Sequence, residues 1–236
     1  MRPTLVLFDI DGTLVDTGGA GRLGLEASFR SVFGVQDIET PASRVRFGGK
    51  TDPTIIADIA RHAGIAAGEV EARYAELQNA YLRALRNELA VPNERRRVLP
   101  GVAPLLASLA SRSDVFLGLV TGNIEEGARV KLDAFGLNHY FVDGGFSSDH
   151  PERGEIARIA HQKLSRRAGF RFPAERVMVI GDTELDVSCA RANGFRAIAV
   201  ASGSSSEDEL RASRPDAVFP DLTDASAVLN AMEWTE

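Results

Sequence analysis

The sequence predicts an α/β protein whose core is a doubly wound, Rossmann-like parallel sheet, with an all-helical cap domain inserted into it. Three observations support this prediction: short apolar runs that end in polar or glycine residues, helical patterns between the later runs, and one long interval without such a run. Strands of a parallel sheet are buried on both faces, so they read as near-continuous apolar runs. The chain therefore has the pattern of an α/β core that is interrupted once.

Five apolar runs are the predicted strands, and helices of crossover length fill the gaps between the later ones. Ala128, Leu132 and Phe135 stand at helical spacing in the first of these gaps. Strands that alternate with helices form a doubly wound sheet. The predicted strands are residues 5–8, 115–120, 177–180, 197–201 and 217–219, and the predicted crossover helices are residues 124–135, 155–168 and 184–193.

The interval between Asp16 and Val98 contains helical patterns and no comparable strand run. Its predicted helices are residues 23–33, 53–63 and 69–89. So long an insertion after the first strand is too much for one crossover connection. We therefore expect two domains, an α/β hydrolase core of residues 1–16 and 99–236 and a helical cap of residues 17–98.

The composition of the chain bears on its possible partners and on its cellular location. Lys and Arg number 27 against 33 Asp and Glu, a net charge of −6, which argues against nucleic acid as a partner. The one basic run, residues 95–97, is predicted to be a solvated loop. The single cysteine, Cys189, allows no intramolecular disulfide, and no apolar run approaches the roughly 18 residues of a membrane span. We expect a cytoplasmic protein without a membrane partner, and composition leaves the oligomeric state open.

Two acidic residues follow the first predicted strand. Asp9 and Asp11 stand two residues apart in the segment Asp-Ile-Asp-Gly-Thr, so they share a side if extended geometry persists. Open α/β sheets place their ligand crevice at the carboxyl ends of strands, and Gly12 permits the sharp turn that leaving the sheet requires. We interpret the pair as functional acids, with an ordinary surface loop as the alternative.

A second polar segment, Thr121-Gly122-Asn123, closes the second long apolar run. A hydroxyl and backbone N–H groups at the start of a helix form a ready anion site. Thr121 is equally suited to cap that helix, so this segment alone leaves both interpretations open.

A third segment, Gly-Asp-Thr-Glu-Leu-Asp at residues 181–186, closes another strand and opens a helix. Asp182 and Asp186 are four residues apart, a spacing that places them on one helical face. Carboxylates at this spacing suit Mg²⁺, which takes one or two of them together with water and phosphate oxygens. The alternative is that both acids merely complement the helix dipole.

Together, the three segments fall at the ends of different predicted strands, in a fixed order along the chain. In this they resemble the haloacid dehalogenase-like hydrolase superfamily, whose first motif looks like DxDGT, whose second is a strand ending in Ser or Thr, and whose fourth looks like GDxxxD. The helical insert is similar to the C1-type cap of that superfamily. Among its branches, the phosphoglycolate-phosphatase-like enzymes look most similar.

The resemblance implies a Mg²⁺-dependent phosphatase that acts on small phosphate monoesters. Asp9 would be the nucleophile that forms an aspartyl phosphate, and Asp11 would protonate the leaving alcohol and then activate water. Mg²⁺ would be held by Asp9, the backbone carbonyl of Asp11, and Asp182, with Asp186 supporting the site from close by. Thr121 would hydrogen-bond a phosphoryl oxygen, with Gly122 and Asn123 as further substrate contacts. The expected partner is a small phosphorylated metabolite.

The third motif of the superfamily, usually Lys followed by Pro, is absent from the corresponding stretch, residues 149–154. Arg153 is the first candidate for its cation, because a guanidinium binds phosphate bidentately. Lys131 is the second candidate, but it lies about seven residues into its predicted helix, roughly 10 Å from the helix start. A solvated lysine on the helix face is the competing interpretation of Lys131.

The cap segment Phe-Gly-Gly-Lys-Thr-Asp at residues 47–52 resembles the glycine-containing substrate loop of the superfamily's caps. Lys50 in this loop is a candidate substrate contact, with a solvated loop lysine as the alternative. A nucleotide P-loop is rejected, because Arg44 stands where that motif requires glycine.

Three other functions of similar folds are weighed against the phosphatase. A dehalogenase needs no proton donor at the position of Asp11, so that activity is disfavoured. A sugar phosphomutase keeps both acids and stays open as an alternative. A phospho-acceptor receiver domain, from a different functional class, is disfavoured by the long cap insert.

Overall fold

The computed structural model describes residues 3–232. Strands and helices alternate along most of the chain, but only helices occur between residues 16 and 97. The strands are β1 (Thr4–Phe8), β2 (Val15–Asp16), β3 (Arg97–Val98), β4 (Val115–Val120), β5 (Gly144–Gly145), β6 (Val177–Gly181), β7 (Arg196–Val200) and β8 (Ala217–Phe219). The helices are α1 (Ala20–Phe33), α2 (Glu39–Ser43), α3 (Asp52–Ala63), α4 (Ala67–Ala72), α5 (Tyr74–Ala90), α6 (Val102–Ala110), α7 (Glu125–Ala134), α8 (Arg153–Ala168), α9 (Glu184–Ala192), α10 (Glu207–Ala212) and α11 (Ala225–Met232).

Six strands form one parallel sheet in the order β5-β4-β1-β6-β7-β8, which confirms the predicted doubly wound α/β fold. The central strand β1 is flanked by β4 and β6, and Phe8 at its end pairs with a residue of each neighbour. Asp9, Thr121 and Asp182 each follow one of these three strands. The fold therefore delivers them to the same edge of the sheet, where the strand order reverses and α/β proteins bind ligands.

Helices cover both faces of this sheet. Because side chains of a strand alternate between faces, Val6 and Phe8 enter one apolar cluster, and Leu5 and Leu7 enter the other. All four are fully buried, and each such burial stabilises the fold by about 1.5–3 kcal/mol. This packing makes the strand ends a rigid platform for the residues that follow them.

Helices α1 to α5 lie between β2 and β3 and have an apolar cluster of their own. Leu25 and Phe29 of α1 are buried in this cluster with Ile59 of α3 and Leu77 and Leu85 of α5. The two connections to the sheet are tied together, because β2 and β3 pair antiparallel. The helical insert thus enters and leaves the core through one short ribbon.

The structure differs from the sequence prediction in the last part of this insert. The predicted helix over residues 69–89 is two helices, α4 and α5, separated at Arg73, whose φ of −113° and ψ of 14° leave the helical region. At this break the Arg73 guanidinium donates to the Val32 carbonyl of α1 and pairs with Glu76. A tertiary contact thus accompanies an interruption that the helical pattern does not reveal.

The prediction of a solvated loop for residues 95–97 fits Arg95, which is exposed in a turn, but not Arg97, which lies in β3, nor Arg96. Arg96 donates from Nε to the Thr17 carbonyl oxygen at 3.1 Å and also donates to the Val91 carbonyl. It therefore braces the two connections between insert and core against each other. Within residues 3–232, no helix combines the length and apolar character needed to cross a bilayer.

Candidate active site

Three carboxylates converge at the edge of the sheet where β1 and β6 end. Asp9, Asp182 and Asp186 are at most 4% exposed, and each offers an oxygen within 4.8 Å of those of the others. Asp9 and Asp182 come from strand ends that the parallel register aligns, and Asp186 lies one turn into α9. The sequence prediction that these acids meet at one place is therefore matched by the geometry.

The electrostatics of this cluster favour a bound cation. Burial raises the pKa of Asp9 to about 6, although the charge of Arg153 opposes the shift. Burial, followed by the charges of Asp186 and Asp9, raises the pKa of Asp182 well above its usual range. A divalent ion bound between these carboxylates would offset both their burial and their mutual repulsion, and so favour their charged forms. The residues present therefore fit a divalent metal.

Asp182 is held in place by the loop that follows β7. The Ser204 N–H donates to Asp182 Oδ2 at 3.0 Å, and the Thr13 hydroxyl donates to Oδ1 at 3.4 Å. A Cβ on Gly203 would lie 1.8 Å from the same carboxylate, so only glycine lets the loop approach this closely. The serine-rich segment after β7 thus orients a candidate metal ligand.

Both oxygens of Asp186 are engaged by protein donors. Oδ2 accepts from the Thr183 N–H at 3.1 Å and from its hydroxyl at 2.6 Å, as part of a capping box at the start of α9. Oδ1 accepts from Arg153 Nη2 at 2.5 Å. This arrangement agrees with a supporting position for Asp186, because its lone pairs are largely used.

Arg153, the first residue of α8, bridges the acids. Its Nη2 lies 3.0 Å from Asp9 Oδ1 as well as beside Asp186, and its Nη1 donates to the Gly49 carbonyl of the cap loop at 3.0 Å. The side chain is buried. Of the two candidates for the missing third-motif cation, Arg153 is the one that contacts Asp9.

Lys131 is not a solvated lysine on a helix face. It is 4% exposed, and its Nζ lies 2.6 Å from Asp11 Oδ2 and 2.6 Å from Asn123 Oδ1. Helical side chains slope toward the helix N-terminus, so a lysine seven positions into α7 reaches back to the strand ends. Lys131 therefore contacts Asp11, whereas Arg153 contacts Asp9.

The loop after β4 is organised by its own side chains. Asn123 Nδ2 donates to the Thr121 hydroxyl oxygen at 2.8 Å and to Asp11 Oδ2 at 2.9 Å. Because the Thr121 oxygen accepts from Asn123 Nδ2, and also from the Asn123 N–H at 3.3 Å, its proton is available to an anion. Helix α7 begins at Glu125 with Ile124 as its N-cap, so the alternative interpretation of Thr121 as the cap does not hold.

The insert lies against this loop through a residue that the sequence analysis did not single out. The Asp52 N–H donates to the Gly122 carbonyl at 2.7 Å, and Asp52 Oδ2 accepts from the Ile124 N–H at 2.8 Å. A Cβ on Gly122 would lie 2.1 Å from the Lys50 carbonyl oxygen. Burial raises the pKa of Asp52 to about 6, against the opposing charge of Lys131. The acid directly before Pro53 at the start of a helix was the available signal.

Between insert and core lies a cavity of about 260 Å³, whose walls include Asp9, Asp11, Thr121 and Arg153. Lys50 also lines it, but its ammonium is held 2.7 Å from Asp58 of the same helical insert. The cavity is below the usual 300–1,000 Å³ of pockets for drug-sized ligands. Its size and its charged floor suit a small anionic ligand.

Comparison with known proteins identifies relatives of the chain. The model of the haloacid dehalogenase-like hydrolase family matches residues 3–194. A phosphoglycolate phosphatase of Synechococcus elongatus is 30% identical, over 89% of this chain and 90% of that protein. The probable phosphatase IndB of Dickeya dadantii is 28% identical, over 98% of this chain and 95% of that protein.

Solved structures share the fold. The structure of CbbY from Rhodobacter sphaeroides in complex with phosphate superposes with a TM-score of 0.73 at 21% identity, covering 94% of this chain and 96% of that one. A predicted phosphatase from Clostridium acetobutylicum gives a TM-score of 0.72 at 19% identity, covering 98% and 100%. At these identities the similarity concerns architecture alone.

Proposed function

The chain belongs to the haloacid dehalogenase-like hydrolases, as a phosphatase of their phosphoglycolate-phosphatase-like branch, and we propose that it hydrolyses small phosphate monoesters with Mg²⁺ through an aspartyl phosphate at Asp9. One observation carries this proposal. Asp9 and Asp182 meet at a buried point, and Arg153 lies against Asp9 there. The candidates for a nucleophile, an ion site and a phosphate-binding cation thus lie together.

In the first step, a carboxylate oxygen of Asp9 attacks phosphorus and the bond from phosphorus to the ester oxygen breaks. Asp11 gives a proton to the leaving oxygen, and the neutral alcohol departs. Asp11 Oδ2 is held by Lys131 and Asn123, so its other oxygen remains to carry the proton. The products of this step are the alcohol and an aspartyl phosphate.

In the second step, Asp11 accepts a proton from a water molecule, whose oxygen attacks phosphorus. The bond between phosphorus and Asp9 breaks, which releases inorganic phosphate and restores both carboxyl groups. Thr121 and Arg153 donate hydrogen bonds to phosphoryl oxygens in both steps. Mg²⁺ held by Asp9, the Asp11 carbonyl and Asp182 would neutralise charge between nucleophile and ester.

We also propose that residues 17–98 act as a cap domain that moves to admit substrate. Asp52 of the insert contacts the loop after β4. The Thr51 hydroxyl donates to the Pro151 carbonyl, just before α8, at 2.9 Å. Such contacts close the cavity from bulk water, as lids do in comparable sites. The partner is then a small phosphorylated metabolite, and a cytoplasmic location stays a prediction.

The test compares Asp9→Asn with Asp133→Asn, a matched change at an exposed position of α7. We expect Asp9→Asn to abolish Mg²⁺-dependent release of phosphate from a generic ester, with an unchanged circular dichroism spectrum, and Asp133→Asn to retain wild-type turnover. Retention of more than a few per cent of turnover by Asp9→Asn contradicts covalent catalysis.

A sugar phosphomutase is the remaining alternative within the fold, since one protein of this fold, from Thermotoga maritima, is described as a putative beta-phosphoglucomutase. The two activities differ in product. A phosphatase accumulates inorganic phosphate from a sugar phosphate, whereas a mutase accumulates an isomeric sugar phosphate. The receiver alternative is set aside because the chain belongs to a hydrolase family.

A further inference from the structure

A buried tyrosine lines the cavity on the side of Asp11. Tyr81 of α5 is 2% exposed and forms part of the cavity wall. Its hydroxyl lies between two glycines: a Cβ on Gly127 would be 3.7 Å from it and a Cβ on Gly21 would be 4.0 Å away. The point at Gly21 is also 3.2 Å from Lys131 Nζ. The phenol thus lies on the side of the cavity where Lys131 holds Asp11.

The Tyr81 hydroxyl has no hydrogen-bond partner among residues 3–232. Because Tyr81 lines the cavity, its hydroxyl is free to pair with a ligand there. Burial, and then the charges of Asp52 and Asp11, raise the pKa of Tyr81 well above its usual value, so the group keeps its proton. It is a hydrogen-bond donor that faces the cavity and is not used by the fold.

The cations on the cavity wall are already engaged by protein groups. Lys131 is held by Asp11 and Asn123, and Lys50 is held by Asp58. The guanidinium of a third cation is held by three groups of the insert: Arg22 donates to the carbonyls of Ala42 and Val45 and lies 4.2 Å from the centre of the Phe47 ring.

The fourth cation, Arg153, bridges Asp9 and Asp186. The charge of Asp52, which acts on the Tyr81 hydroxyl, repels a second negative charge on a ligand. The wall around Tyr81 therefore favours an uncharged polar group over a carboxylate.

We infer that the Tyr81 hydroxyl donates a hydrogen bond to an uncharged oxygen of the leaving alcohol, and so selects phosphate esters of small polyols. This inference rests on the proposed phosphatase activity and adds to it the chemistry of the leaving group. A simple alkyl ester leaves the hydroxyl without a partner, and a site with an unpaired polar group discriminates against such a ligand. An ester of a hydroxy acid brings a carboxylate toward Asp52.

The experiment uses three esters of equal carbon number: glycerol phosphate esterified at a terminal hydroxyl, propyl phosphate, and phosphoglycerate, in which a carboxylate replaces the far hydroxymethyl group. kcat/KM is measured with Mg²⁺ for the wild type, for Tyr81→Phe and for Tyr74→Phe. Tyr74 is a matched control, because it lies on the same helix and outside this cavity.

We expect the wild type to prefer glycerol phosphate over both other esters by about tenfold, a ratio typical of one satisfied hydrogen bond. Tyr81→Phe should remove the preference over propyl phosphate by lowering kcat/KM for glycerol phosphate alone, without lowering the melting temperature. Tyr74→Phe should keep the wild-type ratios.

Two results overturn the inference while the proposed function stands: an active wild type that prefers phosphoglycerate, or a Tyr81→Phe variant that changes all three esters equally. An inactive wild type toward every ester, with Mg²⁺ present, instead contradicts the proposed function. The two failures are therefore distinguishable.

Discussion

Replacing Lys131 tests whether this lysine positions Asp11 as the proton donor. In Lys131→Met, two hydrogen bonds of 2.6 Å are lost, one to Asp11 and one to Asn123. Hydrogen bonds to charged groups contribute about 1.5–3 kcal/mol each. Because Asp11 is half-exposed, its carboxylate is resolvated rather than left buried without a partner, so the fold should survive. The loss should then appear in catalysis.

The expected magnitude depends on the leaving group. A positioned general acid contributes about 10²–10⁴-fold, so we expect kcat for an alkyl phosphate to fall about 10²-fold in Lys131→Met. Nitrophenolate departs without a proton, so turnover of p-nitrophenyl phosphate should fall less than about tenfold. Lys131→Arg keeps the charge and should restore part of the loss.

The assay is steady-state phosphate release from both esters, with unfolding in urea as the check on folding. An equal fall for the two esters would show that Lys131 serves binding or structure and not the protonation of the leaving oxygen. No fall for either ester would remove Lys131 from the account.

Arg153→Ala leaves Asp9 and Asp186 facing each other in a buried site, so without added metal the free energy of unfolding should drop by about 3–5 kcal/mol; an unchanged urea midpoint contradicts this. Burial raises the pKa of Asp52 from 3.8 to about 6, so the folded state binds this proton more tightly than the unfolded state and loses stability as pH rises through that interval. Asp52→Asn keeps the acceptor for Ile124 and should be more stable than wild type at neutral pH by up to roughly 3 kcal/mol. In denaturant melts this gain in stability should vanish toward acid pH. Chelation of divalent ions should abolish turnover, and Mg²⁺ should restore it where the larger Ca²⁺ does not; activity in a chelator would argue against a metal.

The strands were predictable because a buried parallel strand leaves a continuous apolar run. The run at residues 115–120 matches β4 to the residue. Strand β5 was missed because its two residues, Gly144 and Gly145, carry no side chains to form a pattern. The break at Arg73 was missed because it coincides with a contact to a different helix, which local periodicity does not contain.

The candidate site divides in the same way. Asp9 and Asp182 were found because each directly follows a strand, and parallel register brings strand ends together. Asp52 and Tyr81 were not singled out, because both belong to the insert, and their positions depend on how its helices pack against the sheet. Lys131 was undervalued because distance along the helix axis ignores the reach of a side chain that slopes back toward the helix start.

The most direct test of the account is to find the phosphoryl group on the protein. The enzyme is mixed with Mg²⁺ and a saturating small phosphate ester and quenched in acid during turnover, and its peptides are then weighed by mass spectrometry. The peptide containing Asp9 should gain the mass of one phosphoryl group in the wild type and not in Asp9→Asn. A modified peptide that lacks Asp9, or turnover that continues in Asp9→Asn, contradicts it.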